Sequence, residues 1–198
     1  MTDAALFHGE RLAGYELAPA DAPAVQRLYE ATPSYFRIVL GEDPAPDAAR
    51  ETFERRPPPD MPFTRKRVIG LREAAHGLVA VADVIEDLLA PRVWHLGLFL
   101  VPERLQGTGL ALRAYDALES WVRSSGARWL RLGAVRGNDR AERFWRARGY
   151  CEIRRRTGVE MGRRVNELLV MVKPLADAPL AEYLELVPRD RPEGAPTG

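Results

Sequence analysis

An apolar run that opens onto two close glycines constrains this chain more than any other feature. Residues 93–101 read VWHLGLFLV, and an almost continuous apolar run of this kind is typical of a strand buried on both faces. Gly107 and Gly109 follow, and residues 108–124 then place apolar side chains at helical spacing. Glycines at a helix N-terminus let several backbone N–H groups converge on a phosphate, and the Thr108 hydroxyl would add another donor. The segment therefore indicates a phosphate cradle, with a tight turn that binds no ligand as the alternative.

Two other phosphate-binding motifs fit this segment badly. A nucleotide P-loop needs the pattern G-x-x-x-x-G-K-[ST], which does not occur in the chain. A dinucleotide-binding fingerprint needs glycine or alanine at the position of Leu112. The residues that follow the loop must therefore identify the ligand.

Composition excludes several classes of protein. The net charge is +1, so no global field draws the chain to nucleic acid or to a membrane surface. No apolar run approaches the ~20 residues that span a bilayer, and the N-terminus lacks a signal-peptide pattern. Cys151 is the single cysteine and cannot form an internal disulfide, which favours a cytoplasmic protein. Positive charge is almost entirely arginine, with Lys66 and Lys173 as the only lysines.

Hydrophobic periodicity and breaker residues predict alternating strands and helices along most of the chain. We predict an α/β fold with a mixed (α+β), mostly antiparallel sheet of about seven strands and helices on both faces. A single domain is expected over residues 1–178, and the extension over 179–198 is expected to form a short helix and then a disordered tail. The predicted strands are 11–18, 66–71, 77–85, 93–101, 129–135, 150–156 and 164–173; the predicted helices are 22–31, 47–55, 108–124, a helix capped by Asn138 that Gly149 ends, and 180–187.

Two sequence elements together resemble the GCN5-related N-acetyltransferase (GNAT) family. The first, [Q/R]-x-x-G-x-[G/A], is met by residues 106–111 (QGTGLA) and, in a register two residues earlier, by residues 104–109. The second, N-x-x-A-x-x-F-[YW]-x-x-x-G-[FY], is met by residues 138–150. The two elements occur in the right order with a strand and a helix between them. The resemblance covers residues 94–152 and, by element order, about 11–173.

The resemblance implies that acetyl-CoA binds as co-substrate between two splayed strands, those over 93–101 and 129–135, and that no metal is needed. The pyrophosphate would lie on backbone amides of the glycine loop, and backbone groups of the first strand would face pantetheine and the thioester. Asn138 would face the pantetheine arm besides capping its helix, and Phe144 would pack near the cofactor or simply in the core. The implied cofactor-binding residues are Phe99, Leu100, Val101, Gln106, Gly107, Thr108, Gly109, Leu110, Ala111, Asn138 and Phe144.

The chain departs from the family at both of its common catalytic positions. Trp145 replaces the tyrosine acid, and Gly133 stands where some members carry a glutamate base. His95 is the best remaining general base, because an imidazole with a pKa near ~6.5 suits proton removal at neutral pH; a packing role is the alternative. Asp83 is a second candidate that could hold an ammonium group or orient His95, although a solvent-facing carboxylate fits the pattern slightly better. Tyr150 is expected to be a core residue.

The resemblance thus implies an N-acetyltransferase that transfers an acetyl group to a primary amine of a small molecule or peptide, by direct attack in a ternary complex. The unfilled catalytic positions keep one alternative open, a CoA-binding regulatory or interaction module with little catalysis. The acceptor site would involve residues 29–62, where Arg55 and Arg56 could favour an anionic group on the substrate, although a solvated surface is the preferred interpretation. The partners expected are a small amine or peptide, with neither nucleic acid nor membrane; a homodimer is left open.

Overall fold

The computed structural model describes residues 4–192, which form one eight-stranded sheet flanked by helices. The strand order is β1-β2-β3-β4-β5-β6-β8-β7, and every pair is antiparallel except β5 with β6. The strands are β1 Phe7–Gly9, β2 Leu12–Glu16, β3 Arg65–Glu73, β4 Gly77–Glu86, β5 Val93–Leu100, β6 Trp129–Val135, β7 Cys151–Met161 and β8 Arg164–Pro174. The helices are α1 Ala22–Glu30, α2 Pro33–Val39, α3 Ala48–Glu54, α4 Leu110–Ser124, α5 Asp139–Ala147 and α6 Leu180–Leu186.

The predicted fold class is confirmed, and the sheet has one strand more than expected. The N-terminal segment forms a hairpin of two short strands instead of one, with Arg11 in the left-handed region at φ 58° between them. Residues 33–39, for which no element was predicted, form α2, which starts at Pro33, a residue whose fixed φ suits the first turn of a helix.

Each face of the sheet has its own core. Helices α4 and α5 pack on one face against Trp94, Leu96 and Leu132, whereas α1 to α3 pack on the other face against Val68, Val81 and Leu100. Because β5 lies between the two helical layers, its two faces belong to different cores. Any ligand that passes between β5 and β6 therefore crosses from one layer to the other.

The parallel pair β5–β6 separates half-way along its length. Pairing covers only Val93 to Leu96 on β5 and Trp129 to Leu132 on β6. Beyond that point β6 stays paired with β8 and β5 stays paired with β4. The β4–β5 register shifts at Gly97, so a bulge bends β5 just where it leaves β6. The predicted splay is confirmed, and it leaves two strand edges facing each other.

The C-terminal segment packs against the sheet below this splay. Tyr183 of α6 is buried against Trp129, and Asp190 is 1% exposed and pairs with Arg131 of β6. Asp190 belongs to the tail that was predicted to be disordered. The structure instead buries Val187 and Asp190. The remainder of that predicted tail, residues 193–198, lies outside the described residues. None of the helices found in residues 4–192 has the length and apolar character needed to cross a membrane.

Candidate active site

A cavity of about 440 Å³ lies between the splayed ends of β5 and β6. It begins at the glycine loop and α5, passes between residues 96–101 and 132–135, and ends at α2 and the β7–β8 hairpin. The two strand edges offer backbone N–H and C=O groups to this space instead of to each other. A long, narrow ligand with amide groups along its length suits such a passage, because it could complete the interrupted ladder.

The glycine loop has the geometry expected of an anion cradle. Gly107 and Gly109 both have φ 81°, a backbone conformation that side-chain-bearing residues rarely adopt, and Gly109 directly precedes α4. Both glycines line the cavity, as do Ala111 and Leu112 of the first turn of α4. The N–H groups of that turn have no intrahelical acceptor, so the positive end of the helix faces the cavity entrance.

Two side chains of the loop are used to hold it in place. Gln106 donates from Nε2 to the carbonyl oxygen of Val101 at 2.8 Å, which ties the loop to the end of β5. Thr108 donates from Oγ1 to the carbonyl oxygen of Leu105 at 2.7 Å, so the extra donor expected for a phosphate is already used within the loop. Neither Thr108 nor Leu110 is among the cavity-lining residues, and the Leu110 side chain is buried in the core.

The expected cofactor-binding residues of β5 and α5 lie on the cavity. Phe99, Leu100 and Val101 line it from β5, and Asn138 and Phe144 line it from α5. Asn138 also caps its helix by accepting from the Ala141 N–H at 3.3 Å, as predicted. The rings of Phe99 and Phe144 stack at 6.2 Å, so Phe144 is both core and cavity wall.

Comparison with known proteins identifies the family. Residues 25–150 match the family model described as the acetyltransferase (GNAT) family. The chain belongs to the GNAT family. No curated protein in the comparison matched this sequence.

Solved structures share the GNAT fold at low sequence identity. An acetyltransferase from Thermus thermophilus aligns with TM-score 0.66 and 24% identity, over 84% of this chain and 99% of the other. A spermidine N-acetyltransferase from Vibrio cholerae in complex with CoA and spermine aligns with TM-score 0.65 and 15% identity, over 88% and 98%. A ribosomal-protein-S5-alanine acetyltransferase from Vibrio fischeri aligns with TM-score 0.66 and 11% identity, over 88% of this chain and 98% of the other. The expectation of an N-acetyltransferase is therefore confirmed at the level of the family.

Trp145 and Gly133, the two departures from the GNAT pattern, both line the cavity. A Cβ placed on Gly133 would lie 2.9 Å from Cδ2 of Leu168, and the rest of that isobutyl group is within 3.3 Å. Leu168 therefore occupies the space that a glutamate at residue 133 would need. Leu168 is a residue of the neighbouring strand β8, so an apolar side chain fills the space beside Gly133.

His95 lies away from the cavity, against the expectation that it serves as general base. Its Nδ1 accepts from Nη1 of Arg131 at 3.3 Å, and it is not among the cavity-lining residues. Burial, and then the Arg131 guanidinium, lower the pKa of His95 to about 3. An imidazole held neutral in this way is a poor proton acceptor at neutral pH, so we do not retain it as the base.

Asp83 lies beside the bulge in a buried ion pair and not at a solvent-facing strand end. Its Oδ2 is 3.3 Å from Nζ of Lys66, whose side chain is 4% exposed. Its Oδ1 is buried and has no hydrogen-bond partner in the described part of the chain. Asp83 does not line the cavity, but Gly97 does, and a Cβ on Gly97 would lie 3.5 Å from Oδ2 of Asp83.

The electrostatics of this pair favour a proton-accepting carboxylate. Burial raises the pKa of Asp83, and the Lys66 ammonium only partly opposes that rise. Burial also lowers the pKa of Lys66. Both shifts have the same physical cause, the loss of hydration around a charge. A carboxylate with a raised pKa is a better base at neutral pH than an exposed one.

Two tyrosines that contact Trp145 could in principle replace the missing tyrosine acid, but both are buried in the core and neither lines the cavity. Tyr115 donates to Tyr150 at 3.1 Å, and both rings pack in the aromatic cluster around Trp145. Burial raises the pKa of each hydroxyl well above its usual range. Tyr35 of α2 does line the cavity, and burial raises the pKa of its hydroxyl to about 12.

The sequence contained one unused signal for the buried pair. In a chain whose positive charges are almost all arginine, the two lysines are exceptions. Both turn out to be side chains in poorly exposed ion pairs, Lys66 with Asp83 and Lys173 with Glu119. Lys66 was missed because it belongs to no recognised motif. Tyr35 lies within residues 29–62, the segment expected to build the acceptor site, but was not given a role of its own. Arg55 and Arg56, considered for substrate binding, are exposed, and Arg55 pairs with Glu51 on its own helix.

Proposed function

We propose that this GNAT protein transfers the acetyl group of acetyl-CoA to a primary amine by direct attack within a ternary complex. The observation that carries the proposal is the cavity itself, which connects a helix N-terminus suited to a pyrophosphate with an inner chamber through the gap between β5 and β6. When bound, acetyl-CoA supplies the acetyl group as a thioester. The cytoplasmic location inferred from composition stays part of this proposal.

Individual residues support each part of the binding site. Gly107 and Gly109 permit the loop conformation, and the first turn of α4 presents N–H groups without an intrahelical acceptor next to it. Gln106 holds the loop against β5, and Arg140 adds a positive charge on the rim. Backbone groups of Phe99 to Val101 would hold the pantetheine amides and polarise the thioester carbonyl. Asn138 and Phe144 would close the opposite side.

Catalysis in this proposal depends mainly on positioning and on one carboxylate. The acceptor nitrogen must be neutral to attack, and Asp83 would take its proton through a water molecule at the backbone of Gly97. The nitrogen then forms a bond to the acetyl carbon while the bond from that carbon to sulfur breaks. A thiol has a pKa near ~8.5, so the departing thiolate can take its proton from water after it leaves. The reaction therefore does not require a tyrosine acid at the position of Trp145.

The direct test measures acetyl-CoA binding and turnover separately. We expect acetyl-CoA to raise the thermal unfolding midpoint, and free thiol to appear only when an amine is added. A second candidate function, a CoA-binding regulatory module, is favoured by the apolar filling of Gly133 by Leu168. Binding without turnover on any amine would support that second function, and a lack of binding would reject both.

The proton-accepting role of Asp83 has a matched test within the chain. Asp83→Asn alone would leave the Lys66 ammonium buried without a partner, so we combine it with Lys66→Met. We expect this double variant to bind acetyl-CoA normally and to lose about 100-fold in kcat, in the range that general bases contribute. The control is Lys173→Met with Glu119→Gln. It removes the other lysine–carboxylate ion pair described above, whose two residues do not line the cavity. Equal kcat in the two double variants would reject Asp83 as the base.

A further inference from the structure

The inner half of the cavity, beyond the gap between the strands, has an apolar wall. We call it the acceptor wall and define it as Ile38, Val39, Leu98, Met161 and Leu168, all of which line the cavity. Two of these side chains come from α2, one from β5 and two from the β7–β8 hairpin. Thr32 also lines this half, but its hydroxyl already donates to the carbonyl oxygen of Leu28 at 2.8 Å.

Hydrogen bonds fasten the hairpin to α2 and so fix the wall. Asn166 of β8 is 8% exposed and donates from Nδ2 to the carbonyl oxygen of Val39 at 2.9 Å. The N–H of Arg163 donates to the carbonyl oxygen of Leu40 at 2.7 Å. Two carbonyl groups at the C-terminal end of α2 thus receive partners from the hairpin. The wall is built from three parts of the chain that are locked together before any ligand binds.

Charge is distributed unevenly along the cavity. Of its lining residues within the described part of the chain, Arg140 alone is charged, and it lies on α5 beside the glycine loop. No carboxylate lines the acceptor wall in residues 4–192. Asp83 lies behind Gly97, and it is already paired with Lys66. One amine could therefore meet a carboxylate at the bulge. A second ammonium further along would meet only apolar and neutral polar residues, and no carboxylate, among the described lining residues.

We propose that the acceptor is a primary amine that carries a single positive charge on an apolar aliphatic or aromatic body. This inference rests on the proposed function and deepens it. The acceptor amine lies at Gly97, and its carbon body lies on the acceptor wall, where burial of apolar surface contributes to binding. A polyamine binds less tightly because its second ammonium loses hydration there without gaining a carboxylate partner.

The experiment compares two ligands that differ in one group. Hexylamine and the terminal diamine of the same chain length are titrated against the CoA-loaded protein by calorimetry, so that the readout does not depend on turnover. We expect hexylamine to bind at least about tenfold more tightly, because an unpaired buried charge costs more than the 1.4 kcal/mol that a factor of about ten represents. Equal binding, tighter binding of the diamine, or binding of neither would overturn the inference.

A pair of variants tests whether the wall causes the selectivity. Ile38→Asp places a carboxylate on the solvent-accessible edge of the acceptor wall, where the native residue is 37% exposed, and we expect it to remove the preference for hexylamine. Val165→Asp introduces the same group on the hairpin at a side chain that is 72% exposed and does not line the cavity, and it should leave the preference unchanged. The same shift in both variants, or in neither, would contradict the role of the wall.

Failure of the inference and failure of the proposed function give different results. Thiol release with any amine supports the transferase, whichever amine the protein prefers. Selective binding of hexylamine without thiol release supports the acceptor wall and rejects the transferase.

Discussion

The position of His95 shows how a single bulge moves a side chain to the opposite face of a sheet. Strict alternation along β5 would place His95 on the same face as Phe99 and Val101, which point toward α4 and α5. The bulge at Gly97 inserts one residue and reverses the alternation, so that Trp94 and Leu96 share that face instead. His95 consequently meets Arg131 on the opposite face.

His95 is therefore predicted to affect stability and not catalysis. Its pKa is about 3 in the folded protein, because of burial and Arg131, and near ~6.5 when unfolded. As the pH falls, the unfolded chain takes up a proton on His95 at a higher pH than the folded chain does. The contribution of His95 to the free energy of unfolding is therefore present above about pH 6.5 and is lost as the pH falls toward 3. Between about pH 7 and pH 5 the loss is at most about 2 kcal/mol. His95→Asn keeps an acceptor for Arg131 and should flatten the dependence of the unfolding free energy on pH, measured by urea denaturation.

The same variant tests the earlier hypothesis of a catalytic histidine. His95→Asn should leave the pH profile of kcat unchanged near neutrality. Loss of activity together with loss of an ionisation near pH ~6 to 7 would restore His95 as the base and contradict the position described above.

At the element scale, long periodic segments were predictable and local irregularities were not. The bounds of α4, β6 and β8 follow the predicted ones within two residues, because each has many side chains at one spacing. Strand β1 and helix α2 were missed, because so few residues establish no period. In the candidate site, the positions of the glycine loop and of Asn138 were predictable because both belong to sequence motifs. The pair of Lys66 with Asp83, and the filling of Gly133 by Leu168, depend on strand register, which single-strand patterns do not encode.

The glycine loop provides a prediction with a control on the same helix. Gly107→Ala should weaken acetyl-CoA binding, because a Cβ at φ 81° strains the loop by about 1 to 2 kcal/mol and favours a different backbone conformation. Gly126 lies just beyond the other end of α4 with φ 96°, and at both positions a Cβ would meet nothing within 4 Å. Gly126→Ala should therefore lower stability by a similar amount and leave acetyl-CoA binding unchanged. Calorimetric titration of both variants with acetyl-CoA measures this difference. An equal loss of acetyl-CoA binding in the two variants would contradict the role of the glycine loop in binding the pyrophosphate.

At the scale of the whole molecule, the C-terminal segment supports the splayed strands from below. Arg131 is 4% exposed and forms two hydrogen bonds to Asp190, from Nε to Oδ2 at 2.6 Å and from Nη2 to Oδ1 at 3.1 Å. Tyr183 donates to the same carboxylate at 2.6 Å. Arg131 and its neighbour His95 lie within the paired part of β5 and β6, one residue before the pairing ends. We therefore propose that the domain extends at least through Asp190, and not only to residue 178.

Truncation after Ala178 tests this boundary. It removes Tyr183 and Asp190, and it leaves the Arg131 guanidinium without its carboxylate, a loss that typically costs about 3 to 5 kcal/mol. We expect a large fall in the unfolding midpoint, and a similar but smaller fall in Asp190→Asn. Leu186→Ala, on the exposed side of α6, is the control and should change the midpoint little. If the truncated chain unfolds at the same midpoint as the full chain, the C-terminal segment is not part of the folded domain and the proposed boundary is wrong. If instead acetyl-CoA restores part of the lost midpoint, the cavity has survived the truncation, since a ligand that binds only the folded state stabilises it.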